Sequence, residues 1–400
     1  MGKIVTLRNF SAFLVIIFCI NYIPIEGRTG VSLVKVFASF VCFFIFLIKT
    51  PKVTNALVLV CIYYFSVLMA AMLHPATFRW GTLLYLASFL LMYVTYYNLL
   101  YVEKVLTMNF FIQLLKGILW AFFITLCIQQ FFLLIGIKSF PLINLVQILN
   151  RGIGANSLSY EPSSSARILA VVYLALLRMW EIQHGYKPNA QEIYLDLKWP
   201  TIIFFWSMLT MGSGTAFAAL LLLSCYFIKP SNAIFKLSSY IVVILILMNI
   251  EFEPLQRIFN SVGSFSTMDS EQIINTDSSA ATRIMPILNT IFNTDFFHWE
   301  TWFGNGVDYT KNQGLFSERI LIGGIGDYGF ISFIIMQMII YYCVIDKIVS
   351  VETLLWVVLF GMTFGNIPYV WGAILIFTTV RYFRHYTNNN PLTEINTYER

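Results

Sequence analysis

Apolar blocks, each about the length of a membrane-crossing helix, recur along the whole chain between short polar or Gly-containing breaks. A helix that crosses the hydrocarbon core needs roughly 20 apolar residues, fewer where it is short or re-entrant. The pattern predicts helices near 10–26, 31–48, 54–73, 80–100, 111–136 and 163–180. Further helices are predicted near 199–211, 214–228, 237–251, 320–343, 351–365 and 368–383. Two neighbouring pairs, 199–228 and 351–383, are too long for one straight span and short for two. Each reads as two short helices around a Gly-containing break, because non-helical backbone at depth is tolerated where it lines a polar cavity. A single kinked, tilted helix is the other reading of each. The expected fold class is all-α: a polytopic integral membrane protein, a single transmembrane domain over 1–400 with about 12 transmembrane helices, some of them short or broken.

Composition supports that reading. Hydrophobic residues make up 58% and charged residues 11%, and mean hydropathy is +0.75, against about 25% charged residues in a soluble domain. The first apolar run, Phe10–Ile25, lacks a small-residue cleavage site and leads straight into another span, so no cleaved signal peptide is expected. Orientation follows from the basic residues. With both termini cytoplasmic, every inner segment holds Lys or Arg, among them Lys3, Arg8, Lys49, Lys52, Lys104, Arg178, Lys187, Lys198, Lys347, Arg381 and Arg384. Lys116 fits neither side. Two long loops then face outward, 137–162 and 252–319, the second carrying more acidic than basic residues.

No G-x-x-x-x-G-K-[S/T] motif occurs and the inner loops are too short to hold a soluble nucleotide-binding domain, and no nucleic-acid partner is expected. Cys19, Cys42, Cys61, Cys127, Cys225 and Cys343 all fall within spans, as small hydrophobes with no metal or disulfide spacing. The four histidines are scattered. The sequence therefore predicts no cofactor and no metal.

Candidate chemistry concentrates in "RGIGANSLSYEPSSSARIL", 151–169. Pro162 suits the first position of a helix and Glu161 just before it complements the helix dipole, which is a purely structural account of that pair. Arg167, one and a half turns into an apolar helix, asks for more, since an ionisable residue inside a span is a functional candidate by default. Arg151 adds a second fixed cation beside Glu161. In the second loop, residues 277–292 predict an amphipathic helix, capped by Asp277. Its apolar stripe is Ala280, Ile284, Ile287, Leu288 and Ile291, with Arg283 on the flank. An interfacial arginine snorkelling to headgroups is the plain alternative for Arg283, and equally for Arg319. His298, in "FFHWETW", is either a catalytic imidazole or a surface residue in an aromatic patch with Trp299 and Trp302.

Taken in order, "SYEPSSSARILA", "TMGSGTAFAALLLL", "SSAATRIMPILNTI" followed by "WFGNGVDY", and "ILIGGIGDYGFISFII" resemble the motifs of O-antigen polymerases (Wzy) and the related O-antigen ligases over about residues 150–335. The N-terminal part is similar in hydropathy alone. The resemblance implies a membrane-embedded C-type glycosyltransferase in the bacterial plasma membrane. It would join oligosaccharide repeat units carried on undecaprenyl diphosphate at the outer face, for O-antigen or capsule, with membrane lipid, a flippase and a chain-length regulator as partners. A lipid diphosphate leaving group calls for cationic side chains, and Arg151, Arg167, Arg283 and Arg319 are the candidates to bind it. Glu161, Arg283, Arg167 and His298 are the candidate catalytic residues, Glu161 or His298 serving as base for the acceptor hydroxyl. The ligases carry a histidine shortly after the Gly-x-Gly; "GNGVDYTKNQGLFSERI" has none, which favours a polymerase. A ligase and a polyprenyl-linked sugar transporter or flippase remain the alternatives.

Overall fold

The computed structural model describes residues 2–20, 32–48, 52–137, 155–227, 278–313, 317–365 and 367–389. All regular structure among them is helical. In chain order the helices are α1 (Gly2–Cys19), α2 (Leu33–Ile48), α3 (Asn55–Leu73), α4 (Trp80–Tyr101), α5 (Met108–Leu134), α6 (Pro162–His184) and α7 (Ala190–Asp196). They continue with α8 (Lys198–Thr210), α9 (Gly214–Ser224), α10 (Ser278–Phe292), α11 (Trp299–Phe303), α12 (Ile325–Ile339), α13 (Val351–Phe360) and α14 (Pro368–Asn389). Within the described residues each expected span coincides with a helix; 237–251 and the end of 10–26 lie outside them.

Among the described residues, four segments are long and apolar enough to cross a bilayer: Asn55–Leu73, Trp80–Tyr101, Met108–Leu134 and Ile322–Val344. Their surroundings suit lipid. On α2 the exposed stripe is Phe37, Phe40, Phe44 and Leu47, one helical face, while Lys35, Ala38 and Cys42 are buried. In water the large apolar side chains would turn inward, because each buries enough surface to contribute about 1.5–3 kcal/mol. A helix that shows them to its surroundings and keeps its small residues for the interior is arranged for a hydrocarbon solvent.

Two long helices, α6 and α14, lie at the centre. Every α6 side chain from Ser164 to Trp180 is buried except Arg167, enclosed by α5, α8, α9, α13 and α14. Helix α14 packs against α1, α4 and α6 and buries nearly all of Val370–Phe383.

Both expected breaks exist. Helix α8 ends at Thr210 and α9 starts at Gly214, with Gly212 at φ 65° between them. The second break is longer than the sequence suggested. Helix α13 already stops at Gly361, a left-handed C-terminal glycine, and α14 starts only at Pro368, a favoured first residue. The last turn of α12 widens into a π-helix over Ile340–Val344, where Arg381 donates to the carbonyls of Tyr341 (3.2 Å) and Ile345 (2.6 Å).

Candidate functional site

The polar stretch before α6 folds down into the bundle. Ala155, Asn156, Ser157 and Ser159 are buried, and Ser157 takes a left-handed φ of 52°. Backbone in such a place needs partners, since an unpaired buried polar group costs about as much as a lost hydrogen bond. Gln129, near the C-terminal end of α5, supplies them. Its Oε1 accepts from the Ser157 N–H (2.7 Å), and its Nε2 donates to Asn156 Oδ1 (3.1 Å) and to the Ser157 carbonyl (3.2 Å). The Ser157 hydroxyl donates to the Phe122 carbonyl (2.6 Å), and that of Ser165 to the Asn156 carbonyl. Gln130 reaches sideways to the Thr210 carbonyl (3.3 Å), placing the α8–α9 break beside this turn. Much of the serine and asparagine content of 151–169 is thereby accounted for as the lining of a buried turn.

Glu161 occupies the N-cap of α6, with Pro162 at the first helical position, as expected. Its carboxylate makes no capping bond to the backbone; Oε2 accepts instead from the Ser163 hydroxyl (3.0 Å). Arg167 lies half-buried on α6 with its guanidinium 4.9 Å from the ring centre of Tyr369, in the first turn of α14, and Nη1 donates to the Tyr369 hydroxyl. Its Nε is buried and has no acceptor among the described residues. A charged N–H left so costs about 1–3 kcal/mol or more unless an acceptor meets it. The site therefore has a cation with one arm fixed by an aromatic and one arm unused, at the end of the most enclosed helix.

The other candidates are distributed differently. Arg151 and Asp277 lie outside the described residues. Helix α10 includes Arg283 in its backbone, with side chains described from Met285 onward. The face it turns inward holds Met285, Leu288 and Asn289, whereas Ile291 is exposed. Of the expected apolar stripe Leu288 docks on the protein and Ile291 faces its surroundings, and α10 is held by hydrogen bonds as well as by apolar contact. Asn289 donates to the carbonyls of Ser317 and Ile320 (both 3.1 Å), and the Ile322 N–H donates to Thr290 Oγ1 (2.9 Å). His298 is exposed and faces Asp295 at 3.4 Å. Around it Phe296, Phe297, Trp299 and Trp302 are exposed, and Trp299 stacks on His74 at 5.5 Å. Arg319 is exposed and donates to the Tyr309 hydroxyl (3.0 Å). Among the described residues, no hydrogen bond or ion pair joins any two of Glu161, Arg167, His298 and Arg319.

The Gly-x-Gly motif and the glycine-rich start of α12 turn out to be one junction. Gly304 and Gly329 both have positive φ, and a Cβ on Gly304 would run into the backbone of Asp327 and Tyr328, one on Gly329 into that of Trp302. The Gly306 N–H donates to the Asp327 carbonyl (3.0 Å), and the Asp327 carboxylate accepts from the Thr310 N–H (2.7 Å) and hydroxyl (2.9 Å). Asp308, buried and at φ 59°, accepts from Thr82 (2.9 Å) and pairs with Lys311 (2.5 Å) and Arg79 (3.6 Å). His74 Nε2 sits 2.9 Å from the Gly304 carbonyl. These contacts tie the α3–α4 turn, α11 and α12 into a single cap.

Sequence reasoning missed a charge network at the other end of α6. Arg178 is buried, its Nε and Nη2 donating to the two carboxylate oxygens of Glu352 (2.7 and 2.9 Å) and Nη1 to Glu181 (2.7 Å). Arg384 lies 3.2 Å from Asp346, which His385 also meets at 3.1 Å. Burial pushes the Asp346 carboxyl up, but the hydrogen bond and charge of Arg384, helped by His385 and Arg381, outweigh it and hold the group below its usual range. The signal was present: Arg178 and Glu352 each stand inside an apolar segment, where a partner is required.

No family model, no curated protein and no solved structure matches this chain.

Proposed function

We propose that the protein is a polysaccharide polymerase of the bacterial plasma membrane, with both termini cytoplasmic and its site at the outer face. It transfers a repeat-unit glycan from undecaprenyl diphosphate to the end of an acceptor glycan. The acceptor hydroxyl attacks the anomeric carbon, the bond from that carbon to the diphosphate breaks, and the hydroxyl proton passes to a base. The observation that carries the reading is Arg167: a half-buried guanidinium, steadied on Tyr369, with a buried Nε that lacks an acceptor. A departing diphosphate is an acceptor of the required charge. Glu161, six residues earlier and bonded only to Ser163, is the nearest carboxylate along the chain to serve as base. Arg151, Arg283 and Arg319 are further diphosphate ligands in this reading, and the exposed aromatics around His298 offer flat apolar faces to sugar rings.

The test is polymer length on a gel, alongside an immunoblot of the membrane fraction, in the chain's own host. Losing a contact made mainly in the transition state costs about 2.7–4 kcal/mol, or 10²–10³ in rate. Arg167→Ala is therefore expected to shorten or abolish polymer at normal protein level. Arg167→Lys is expected to be nearly as damaging, because a point charge does not replace the guanidinium fork. Tyr369→Phe, which removes the steadying bond alone, should be milder. Glu161→Gln should abolish polymer if the carboxylate is the base, and leave it intact if Glu161 only starts the helix. Loss of the gene should leave a single capped repeat unit; unattached full-length polymer would indicate a ligase, and absence of surface glycan a flippase. Wild-type polymer from Arg167→Ala at matched protein level removes the proposed site.

A further inference from the structure

Arg167 and His184 stand at opposite ends of α6, about 25 Å apart at 1.5 Å per residue. At the His184 end a cavity of about 300 Å³ opens between α5, α6 and the α7–α8 joint. Its polar lining is Lys116, Gln183, His184 and Asp196. Lys116 is the one Lys or Arg within the four segments long and apolar enough to cross a bilayer. It makes no hydrogen bond or ion pair with any described residue. The facing wall, in contrast, is fixed in place. Trp180 Nε1 donates to Asp196 Oδ2 (2.9 Å), His184 Nδ1 lies 2.9 Å from the Trp180 carbonyl, and the two rings stack at 3.9 Å.

We propose that this cavity binds the headgroup of a phospholipid, with the phosphate on Lys116. Depth identifies the ligand. Helix α5 starts just after Thr107, which follows α4 by a short connection, so Lys116 lies about 13 Å along the helix from the α4–α5 turn, which a pair of bilayer-spanning helices sets at the membrane surface. The lysine stem reaches back several ångströms toward that surface, which brings the ammonium to the level of lipid phosphates. Leu176 and Ile112, on the apolar side of the cavity, meet the start of an acyl chain. Asp196 is exposed at the rim and carries the opposite charge. A headgroup with an ammonium beyond its phosphate satisfies both ends, so phosphatidylethanolamine should bind better than phosphatidylglycerol. The site is independent of the polymerase reading and would stand if that reading failed.

The experiment is native mass spectrometry of the delipidated full-length protein in detergent, titrated with phosphatidylethanolamine or phosphatidylglycerol. The wild type is expected to retain one phosphatidylethanolamine in preference to phosphatidylglycerol. Lys116→Gln should weaken retention of both at least tenfold; Lys116→Arg should restore it; Asp196→Asn should remove only the preference. Lys198→Ala should change nothing. Thermal melts confirm that each variant is folded. Undiminished retention by folded Lys116→Gln overturns the proposal. So does protection of Lys116 from an amine-reactive reagent by inorganic phosphate but not by lipid, which would make the ligand a free phosphate.

Discussion

At the scale of single residues, Gln129 shows what is paired across distance. It satisfies both backbone groups of Ser157 and the side chain of Asn156. Gln129→Leu strips those partners at one stroke while keeping the bulk. The expected cost is about 1–3 kcal/mol for each buried group left unpaired, read as a lowered midpoint of thermal unfolding in detergent. Gln113→Leu, on an exposed position of the same helix, should leave the midpoint unchanged. Arg167 was legible in the sequence because a charge in an apolar helix is conspicuous alone. Gln129 was not, because its partner lies 28 residues on and nothing local announces the pairing. The same holds for Tyr369, which meets Arg167 across more than half the chain.

At the scale of elements, the helices and their breaks were readable because length and glycine decide them locally. Faces were less so. The 3.6-residue period located α10 and its apolar stripe but overlooked Asn289, since what α10 docks on is a row of carbonyls, and apolar periodicity carries no information about those. Helices α6 and α13 are likewise joined by an ion pair. Arg178→Met leaves Glu352 buried without its main partner, which should cost about 3–5 kcal/mol in a thermal or denaturant melt. Arg178→Met combined with Glu352→Leu should recover most of that loss, because the desolvation of both charges is then avoided. A double variant as unstable as the single one would mean that the pair contributes more than charge balance.

At the scale of the whole molecule, composition alone announced an all-helical chain suited to lipid, and the exposed phenylalanines of α2 agree. Sidedness rests on Lys and Arg alone, and labelling tests it. A cysteine placed by Ser270→Cys in a cysteine-free background should react with a membrane-impermeant thiol reagent on intact cells, and Asn189→Cys should not; the reverse pattern inverts the assignment. The interlocked glycines at 304 and 329 bear on how such a molecule moves. Two backbones in contact have no compliant side chains between them, so the α3–α4 turn, α11 and α12 shift as one rigid body or not at all. The segment after Phe360 is tied to the same body: Gln337 donates to the Met362 carbonyl (3.2 Å) and the Trp371 indole to the Gly365 carbonyl (3.2 Å). Tyr369 follows in the first turn of α14, so the hydroxyl that holds Arg167 is positioned by the same framework as the glycine junction.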